Sequence, residues 1–543
     1  MFSEPVVGER FFGREEVLEL LNRRVSALKD GYRQNVALTG PSLAGKSSII
    51  LHFLRTVKEE GFIPIYVEVV KEDFESFANK FIATLLYNSL QRLGEESDVD
   101  METLLDKAIK ALPNTAHAIK QVNASMDRGD HDEAYLGLLG LTSVLKGETG
   151  FSCVVILDEF DNLEALGIKN PFLGFGKVIM VQKDTMYIVS SSRNDAIKKI
   201  ISEKLALLFG NFEVVNIRNF DLATSRQFLD IRFSGFEIAD SLKKFFIAFT
   251  DGNPFYLDRL SARAKELSTE RLSGHLDKNS VADVILELVY NANGLIHQYL
   301  LNYLLSLLDT RSRDSCMSIL VSIANGRNKR PDIARGLKAK QAEVSKGLLG
   351  LSELGLVSKN GVFYKIEDAM LTFWLKHVYQ RRRQLLVDGT FDKTELFGRE
   401  IMSYISAFEE DCEKSSSARL AELFNAFSNE LVSIESKNIR LPHFTKVEIK
   451  SAADSREIIA ASFRGNFWIA QAFECYLKEN DVISYIKNTK VIVEKISNKI
   501  IVPLRGIDEN AKLLAKELKI SIWDVSTVNG LLGYYNKKNM VVL

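Results

Sequence analysis

The chain has 543 residues, which at roughly 150 residues per domain predicts three or four domains and excludes a single small module. Lysine and arginine total 70 and aspartate and glutamate total 71, so the net charge of −1 excludes a coat of basic charge over the whole surface. An apolar fraction of 46% with only nine prolines is typical of a chain that folds over most of its length.

The first periodic segment is predicted to form a strand, a loop, a helix and a second strand. Residues 35–39 are a short apolar strand, residues 46–59 carry apolar side chains at helical spacing, and the second strand starts after Gly61. A helix over residues 73–93 follows. This order is the βαβ unit from which parallel sheets are built.

Three later apolar runs complete this sheet. They lie at residues 153–157, 186–190 and 213–217, after a segment over 97–150 that has the pattern of a helical insertion. Nearly continuous apolar strands are typical of a sheet that is covered on both faces. We therefore expect an α/β fold, with a doubly wound five-stranded parallel sheet over residues 1–221.

The loop between the first strand and its helix carries the complete P-loop pattern. Two glycines let successive backbone N–H groups point at phosphate oxygens, and the helix N-terminus adds a partial positive charge. Lys46 is expected to bridge the β and γ phosphates during catalysis, and Ser47 to hold Mg²⁺. The residues predicted to bind the nucleotide here are Gly40, Pro41, Ser42, Leu43, Ala44, Gly45, Lys46, Ser47 and Ser48.

Two acidic residues, Asp158 and Glu159, follow directly after the apolar strand at 153–157. An aspartate at the end of a buried strand is placed to bind Mg²⁺ through water, and the next carboxylate to polarise the attacking water as a catalytic group. Asp161, three residues beyond Asp158, is expected to cap the following helix.

Arg193 comes after three consecutive serines at the end of the strand over 186–190. The carboxyl ends of such strands face the ligand, so a polar side chain there is placed to sense the γ phosphate and Arg193 to neutralise its charge in catalysis. A solvated loop arginine is the open alternative. The sequence has no Asn-Lys-x-Asp segment for reading guanine, which favours adenine.

From residue 222 to residue 310 the pattern is wholly helical, and we interpret this segment as a lid. Over 311–385 it changes to three helices at 315–324, 331–337 and 340–354 and a hairpin at 357–366. The hairpin is expected to turn at Asn360-Gly361, since Asn-Gly is a favoured two-residue turn. Three helices and a hairpin predict a winged helix.

If this module binds duplex DNA, the start of its third helix is expected to supply the contacts, through Lys340, Gln341 and Lys346. Winged helices also serve as protein-binding modules, and that alternative stays open. Further basic or polar residues near the module are Arg327, Lys329, Arg330, Lys338, Ser345, Lys376, Arg381, Arg382 and Arg383.

Residues 386–440 are predicted to be a helical linker, and residues 441–543 a second α/β domain. The strands of that domain are expected at 446–449, 457–463, 467–473, 499–503 and 520–523. Its helices are expected at 481–486, 508–518 and 527–535.

With these motifs in hand, the chain resembles the archaeal ATPase family within the STAND class of P-loop ATPases, over roughly residues 8–385. Three short segments add to the match: Phe12-Gly13-Arg14-Glu15, Gly252-Asn253-Pro254, and the LTFW run at 371–374. The resemblance implies that Arg14 lies near the adenine and that Pro254 contacts the nucleotide. The alternative that Gly252 and Pro254 form only a turn between helices stays open.

The last hundred residues are similar to the degenerate restriction-endonuclease-like domain that often follows the winged helix in this family. An active domain of that type needs an acid on one strand and an acid-x-Lys pair on the next. Glu457 is a candidate for the first acid, but Phe473 stands where the lysine belongs. We expect no nuclease activity, and we interpret the Lys446-x-Glu448-x-Lys450 pattern as a strand with one solvated face.

The resemblance implies a slowly hydrolysing switch, with ATP and Mg²⁺ as cofactors and duplex DNA as partner. A replication-initiator-like ATPase, with Arg259 or Arg263 as its lid arginine, and a non-hydrolysing scaffold are the alternatives. We expect a cytoplasmic protein with no membrane contact, and a homo-oligomer stays open. The cysteines Cys153, Cys316, Cys412 and Cys475 are expected to be reduced structural thiols without a zinc site.

Overall fold

A computed structural model describes residues 4–57, 61–95, 100–205, 210–272, 274–383, 394–435, 437–451, 457–492 and 495–541. The chain divides into two compact units, Met1–Asn219 and Phe220–Leu543.

The first unit contains one parallel sheet of five strands in the order β2-β3-β4-β1-β5. Its strands are β1 (Asn35–Thr39), β2 (Phe62–Glu68), β3 (Ser152–Asp158), β4 (Thr185–Ser191) and β5 (Phe212–Asn216). Every residue of β1, β3 and β4 is buried, because all three lie inside the sheet. The predicted five-stranded α/β fold is confirmed.

Helices cover both faces of this sheet. They are α1 (Glu15–Lys29), α2 (Lys46–Thr56), α3 (Phe74–Arg92), α4 (Met101–Ala111), α5 (Pro113–Asp127), α6 (His131–Thr149), α7 (Pro171–Val181) and α8 (Asn194–Lys199). Alternation along β1 divides the core: Val36 and Leu38 face α1 and α2, and Ala37 faces the larger cluster with α3 and α6. Helix α2 ends at Thr56, before the predicted end of the helix, and 58–60 lie outside the described residues.

The segment predicted as a helical insertion contains α4, α5 and α6, whose apolar side chains continue the core that α3 forms on the sheet. The carboxylate of Glu148, near the end of α6, accepts hydrogen bonds of 2.8 and 2.9 Å from the backbone N–H groups of Asn114 and Thr115. This acidic cap ties the two longer helices of the insertion together.

The second unit begins with helices. They are α9 (Leu222–Arg232), α10 (Asp240–Thr250), α11 (Pro254–Glu270), α12 (Lys278–Ile285), α13 (Leu295–Leu307), α14 (Arg313–Ala324), α15 (Arg330–Leu337), α16 (Gln341–Glu353), α17 (Ala369–Trp374), α18 (Thr394–Glu413) and α19 (Ser416–Ala426). Two short parallel strands, β6 (Glu237–Ile238) and β7 (His275–Leu276), lie among them.

Helices α14, α15 and α16 are followed by the antiparallel hairpin of β8 (Val357–Asn360) and β9 (Phe363–Ile366). The predicted turn is wrong by one residue. Asn360 is paired with Phe363 inside the ladder, so the two loop residues are Gly361 and Val362. Gly361 takes a positive φ of 59°, which glycine adopts at little cost and which suits the first loop position of a hairpin.

A second antiparallel hairpin, β10 (Glu430–Ile434) with β11 (Lys437–Leu441), stands where the prediction placed a helical linker. The error has a clear cause: along β10 buried and exposed residues alternate with a period of two, which indicates a strand, but the segment is only five residues long. Of the predicted linker, 386–393 lie outside the described residues.

The loop of the first hairpin packs on β10. The side-chain amide of Asn360 donates to the carbonyl oxygen of Ser433 at 3.0 Å and accepts from the Ser433 N–H at 2.6 Å. The N–H of Val362 donates to the carbonyl of Leu431 at 3.3 Å. The ring of Phe363 stacks on Tyr534 with 5.0 Å between centroids. The hairpin is therefore joined to the C-terminal part of the unit.

The C-terminal sheet has the order β12-β13-β14-β15-β16, antiparallel over its first three strands and parallel over the last three. Its strands are β12 (Lys446–Ser451), β13 (Glu457–Phe463), β14 (Asn466–Phe473), β15 (Ile496–Pro503) and β16 (Ser521–Ile522). Its helices are α20 (Glu479–Ile492), α21 (Glu509–Glu517) and α22 (Val525–Tyr534). The five strands and three helices of the prediction are confirmed, with α20 longer than expected.

Gly361→Ala is expected to detach the hairpin loop from β10 and to lower the melting temperature. A Cβ at this position would lie 1.7 Å from the carbonyl oxygen of Leu431, and φ is positive. Gly350→Ala is the matched control, since a Cβ there would meet nothing within 4 Å and alanine favours a helix interior. Thermal unfolding of both variants checks this, and equal melting temperatures would contradict the packing described for the loop.

Candidate functional site

The carboxyl ends of β1, β3 and β4 lie side by side in the sheet of the first unit, and the predicted catalytic side chains come together there. Lys46 begins α2 and is only 5% exposed. Its ammonium donates to the carbonyl oxygens of Gly40 and Pro41, both at 3.0 Å, and to Ser192 Oγ at 2.9 Å. Burial lowers the pKa of Lys46, and the carboxylates of Glu159, Asp158 and Asp161 oppose that shift.

Ser192 links the P-loop lysine to the predicted catalytic carboxylate. Its hydroxyl accepts the hydrogen bond from Lys46 and donates to Glu159 Oε1, while its backbone N–H donates to Glu159 Oε2 at 3.2 Å. The sequence indicated a polar side chain at this end of β4 and pointed to Arg193, but it did not single out Ser192. Three adjacent serines give no signal of which one faces the lysine.

Glu159 is held in an unusual backbone conformation at the end of β3. Its φ of 54° lies in the left-handed region, which is uncommon outside glycine, and its N–H donates to Ser190 Oγ at 3.2 Å. Burial raises the pKa of Glu159, while the charge of Lys46 and the hydrogen bond from Ser192 oppose that rise.

Asp158 is buried and is bound by two hydroxyl groups. The hydroxyl of Tyr66, on β2, donates to Asp158 Oδ2 at 3.0 Å, and Ser190 Oγ donates to Oδ1. Burial raises the pKa of Tyr66, and the nearby Asp158 adds to the effect. Tyr66 was missed in the sequence, although it lies on the strand that pairs with β3.

Asp161 does not cap the following short helix, so that prediction is wrong. The side chain is 3% exposed and forms an ion pair with Arg193. The helical turn over Phe160–Ala165 has Glu159 as its N-cap residue, with no side-chain cap. Arg193 is therefore tied to the helical turn that follows β3 and is not a solvated loop arginine.

The P-loop requires glycine at two positions for different reasons: close packing at Gly40 and backbone conformation at Gly45. A Cβ on Gly40 would lie 2.0 Å from the carbonyl oxygen of Ile217, so no side chain fits there. Gly45 has open space around it but takes a φ of 95°, which other residues rarely adopt. Leu43, inside the loop, also has a positive φ of 62°.

The segment before α1 lies against the P-loop. Arg14 donates to the carbonyl oxygens of Ala44 at 3.2 Å and Arg218 at 2.6 Å. The N–H of Val6 donates to Ser48 Oγ at 3.0 Å, and Phe11 stacks on His52 with 4.0 Å between ring centroids. Arg14 and Ser48 therefore lie against the loop, and their contact with a nucleotide stays a prediction.

The residues present fit Mg-ATP. The glycine-framed loop, the buried ammonium of Lys46 and the buried carboxylate of Asp158 are the donor types that phosphates and a hard cation prefer. Within the part of the chain that the structure describes, no group of three or more His, Cys, Asp or Glu side chains is placed to hold a metal by itself. Ser47 and Asp158 would hold Mg²⁺ together with phosphate oxygens.

Gly252, in the second unit, makes a turn between α10 and α11 with a φ of 67°, and a Cβ there would lie 2.2 Å from the carbonyl of Phe220. Asn253 Oδ1 accepts the N–H of Phe255 at 3.1 Å, which caps α11, and Pro254 is the first residue of that helix. Gly252 and Pro254 therefore form a turn between the two helices, and contact of Pro254 with a nucleotide stays a prediction.

The predicted DNA-contacting residues Lys340, Gln341 and Lys346 are all exposed, at and near the start of α16. Leu349 is 62% exposed on the same helix. By contrast, two of the three consecutive arginines after the hairpin are held by this unit: Arg381 pairs with Glu400, and Arg382 donates to the carbonyl of Tyr290. That run is therefore not a free basic patch.

In the C-terminal sheet, Phe473 is 2% exposed in the core and Glu457 is exposed at the start of β13, where it accepts a 3.3 Å hydrogen bond from Ser415. Gln471 is buried, and its amide atoms have no hydrogen-bond partner in the described residues. Lys446 pairs with Glu448 at 2.6 Å on the exposed face of β12, as expected for a solvated strand. The absence of nuclease activity stays a prediction.

Two general expectations can be compared with the structure. Among the helices in the described ranges, none has both the length and the hydropathy that are needed to cross a lipid bilayer. Cys153 and Cys316 are buried free thiols and Cys412 is partly buried, but Cys475 is exposed and is not a structural core residue.

Comparison with known proteins agrees with the chemistry of the first unit. Residues 10–168 match the family described as AAA ATPase domain, and this range contains the P-loop, Asp158 and Glu159. None of the curated proteins matches the chain.

Several solved structures are similar to the chain in shape. A Walker-type ATPase of Pyrococcus abyssi is 18% identical, and the alignment covers 69% of this chain and 99% of that one with a TM-score of 0.47. The ORC2 protein of Aeropyrum pernix is 14% identical, with 70% and 98% covered and a TM-score of 0.43. The RuvB motor of Thermotoga maritima is 14% identical, with 69% and 99% covered and a TM-score of 0.33.

Lys46→Ala is expected to weaken ATP binding by about 10- to 100-fold, the usual effect of losing charge-assisted hydrogen bonds to phosphate. Isothermal titration with Mg-ATP checks this. Lys177→Ala, which removes an exposed lysine of α7, is the matched control and should bind like the parent. Unchanged affinity in the Lys46 variant would contradict the site.

Proposed function

We propose that the protein is an ATP-dependent switch that hydrolyses ATP slowly and binds duplex DNA through α16. The observation that carries the ATPase part is the hydrogen-bonded chain from Lys46 through Ser192 to Glu159. It joins the group that would contact the phosphates to the carboxylate that would polarise water. Movement of Lys46 toward a bound phosphate would release Ser192 from the lysine, and this would alter the hydrogen bonds that Glu159 accepts from Ser192.

The proposed roles of the residues follow from these contacts. Lys46 and the P-loop bind the β and γ phosphates, Ser47 and Asp158 hold Mg²⁺, and Glu159 accepts a proton from the attacking water. The metal, when bound, offsets the negative charge that develops on the phosphate oxygens. Arg14 is proposed to lie near the adenine, and Pro254 to contact the nucleotide.

Slow turnover is proposed because Glu159 is already engaged. Both of its carboxylate oxygens accept hydrogen bonds from Ser192, and Lys46 is close enough to affect its pKa. A general base works best when it is free to accept a proton from water. Arg193, paired with Asp161, is proposed to reach the γ phosphate only when that pair opens.

The DNA-binding part of the proposal rests on exposure and charge. Lys340, Gln341 and Lys346 lie on the free face of α16, and the opposite face packs through Val344, Leu348 and Leu351. Exposed cations at the start of a helix suit phosphate contacts, and a glutamine suits a base edge.

The initiator-like alternative needs a lid arginine, and its two candidates, Arg259 and Arg263, differ in their contacts. Arg263 is held by Glu266, Glu270 and Glu287, so it is fully engaged within its own unit. Arg259 is less engaged, since its buried Nε has no hydrogen-bond partner among the described residues and lies 3.8 Å from Asp258 Oδ2. If a lid arginine assists hydrolysis, it is therefore Arg259.

Glu159→Gln is expected to retain ATP binding and to lower the hydrolysis rate by about 10²- to 10⁴-fold, because the amide cannot accept a proton from water. Phosphate release and ATP affinity are measured in parallel. Equal turnover in variant and parent would assign Glu159 a structural role. A parent rate that is no higher than the background would favour the non-hydrolysing scaffold.

The pH dependence of the parent is expected to report the raised pKa of Glu159. A general base acts as the carboxylate, so activity is lost as the pH falls through its folded pKa, here at a higher pH than an ordinary glutamate requires. Ser192→Ala removes an O–H donor that stabilises the carboxylate, so the acidic limb of the profile should move to still higher pH. If the acidic limb of the Ser192→Ala profile stays where it is in the parent, the proposed effect of Ser192 on Glu159 is wrong.

The double variant Lys340→Ala/Lys346→Ala is expected to weaken binding to all duplex sequences and to reduce the salt slope by about two, near one for each phosphate contact. Gln341→Ala should instead relax preference at one base pair. Filter binding at two salt concentrations checks both, with exposed Lys437→Ala as the control. Equal affinity and slope in the double variant and the parent would assign α16 to a protein partner.

A further inference from the structure

The second unit contains a cavity of about 710 Å³ that the proposed function does not use. Its walls come from α10, β9, α17 with the helical turn after it, α18, and residues 533–539 at the end of the chain. None of the residues assigned to the nucleotide or to DNA lines it. The volume lies in the range of pockets that hold small molecules, roughly 300 to 1,000 Å³.

One wall of the cavity is aromatic. The ring of Phe373 lies 4.7 Å from that of His377 and 5.6 Å from that of Tyr404, measured between centroids. Phe249 meets Phe373 edge-on at 4.8 Å. All four residues line the cavity, so a flat ring that enters meets an aromatic surface.

The polar lining is mainly cationic. The cations are Lys365, Lys376, Arg381, Lys537 and Lys538, and the carboxylates are Asp251, Glu367 and Glu400. Arg381 is paired with Glu400, and Lys538 lies 3.6 Å from Asp411 and over the ring of Tyr404. Lys365 and Lys376 are exposed and form no ion pair with any residue that the structure describes. Two lysines are therefore available for an anion.

His377 adds a neutral ring to the aromatic wall. Burial is the main cause that lowers its pKa to about 4, and the charges of Lys376 and Arg381 act in the same direction. At neutral pH the imidazole is therefore uncharged, and it packs as an aromatic ring without repelling a cation.

We propose that this cavity binds a mononucleotide, with the base against the aromatic wall and the phosphate at Lys365 and Lys376. A base and a phosphate on one small molecule are the combination that this lining recognises, since stacking needs ring faces and a phosphate needs unpaired cations. None of the lining residues belongs to the unit that carries the P-loop.

Binding here would join parts of the second unit that are distant in sequence. Phe249 is on α10, Lys365 on the hairpin and Tyr404 on α18, and all three line the cavity together with the last residues of the chain. A ligand that contacts all of them stabilises one arrangement of the helices, the hairpin and the C-terminal segment. The site is therefore proposed as a second, independent input to the switch.

The test uses the full chain carrying Lys46→Ala, so that the P-loop contributes little, and titrates AMP, GMP, CMP and UMP separately by calorimetry. At least one nucleotide is expected to bind. Lys376→Ala in this background should weaken that binding by about tenfold or more, the usual effect of removing a charged hydrogen bond. His377→Leu should weaken it while leaving the fold intact by circular dichroism.

The control is Lys516→Ala, which removes an exposed lysine of α21 far in sequence from the cavity lining and should bind like its parent. Inorganic phosphate is titrated as a second probe. No binding of any of the four nucleotides at millimolar concentration would overturn the proposal, and so would binding that Lys376→Ala leaves unchanged. Phosphate binding as tightly as the nucleotides would show an anion site without base recognition and would also overturn it.

Discussion

The buried ammonium of Lys46 is the constraint on which the geometry of the first unit depends. An unpaired charge inside a protein costs several kcal/mol, so this side chain must be surrounded by oxygen atoms. Two come from the loop itself, Gly40 and Pro41, and the third comes from Ser192 at the end of β4. The lysine therefore fixes the distance between the P-loop and the neighbouring strand, and through Ser192 it also sets the position of Glu159.

Much of this unit could be predicted, because the evidence for it is local in the sequence. Continuous apolar runs indicated β1, β3 and β4, and the spacing of two glycines and a lysine indicated the P-loop. The contacts between strands could not be predicted. Tyr66 reaches Asp158 because β2 pairs with β3 in a register that sets Glu68 opposite Asp158. Such a register depends on the whole sheet, and no short segment of sequence encodes it.

The second unit shows the same division between local and long-range information. Helical spacing placed α14, α15 and α16 correctly, and the Asn-Gly pair placed the hairpin to within one residue. The pairing of β10 with β11 was missed, since five alternating residues that follow a helix give too little pattern to decide. The docking of the hairpin on β10 was missed for the same reason. That docking bears on the proposed DNA binding, because a free hairpin and a covered one would offer different surfaces to a duplex.

The cost of freeing the hairpin bears on the DNA-binding surface that we propose. Three hydrogen bonds join its loop region to β10, and at about 1 kcal/mol each they contribute on the order of 3 kcal/mol before the stacking of Phe363 on Tyr534 is added. A few phosphate contacts made by the hairpin would have to offset this loss. The start of α16 needs no such rearrangement, since Lys340, Gln341 and Lys346 are already exposed. For the proposed binding of DNA, contact through α16 with the hairpin left in place is therefore the arrangement that loses none of these hydrogen bonds.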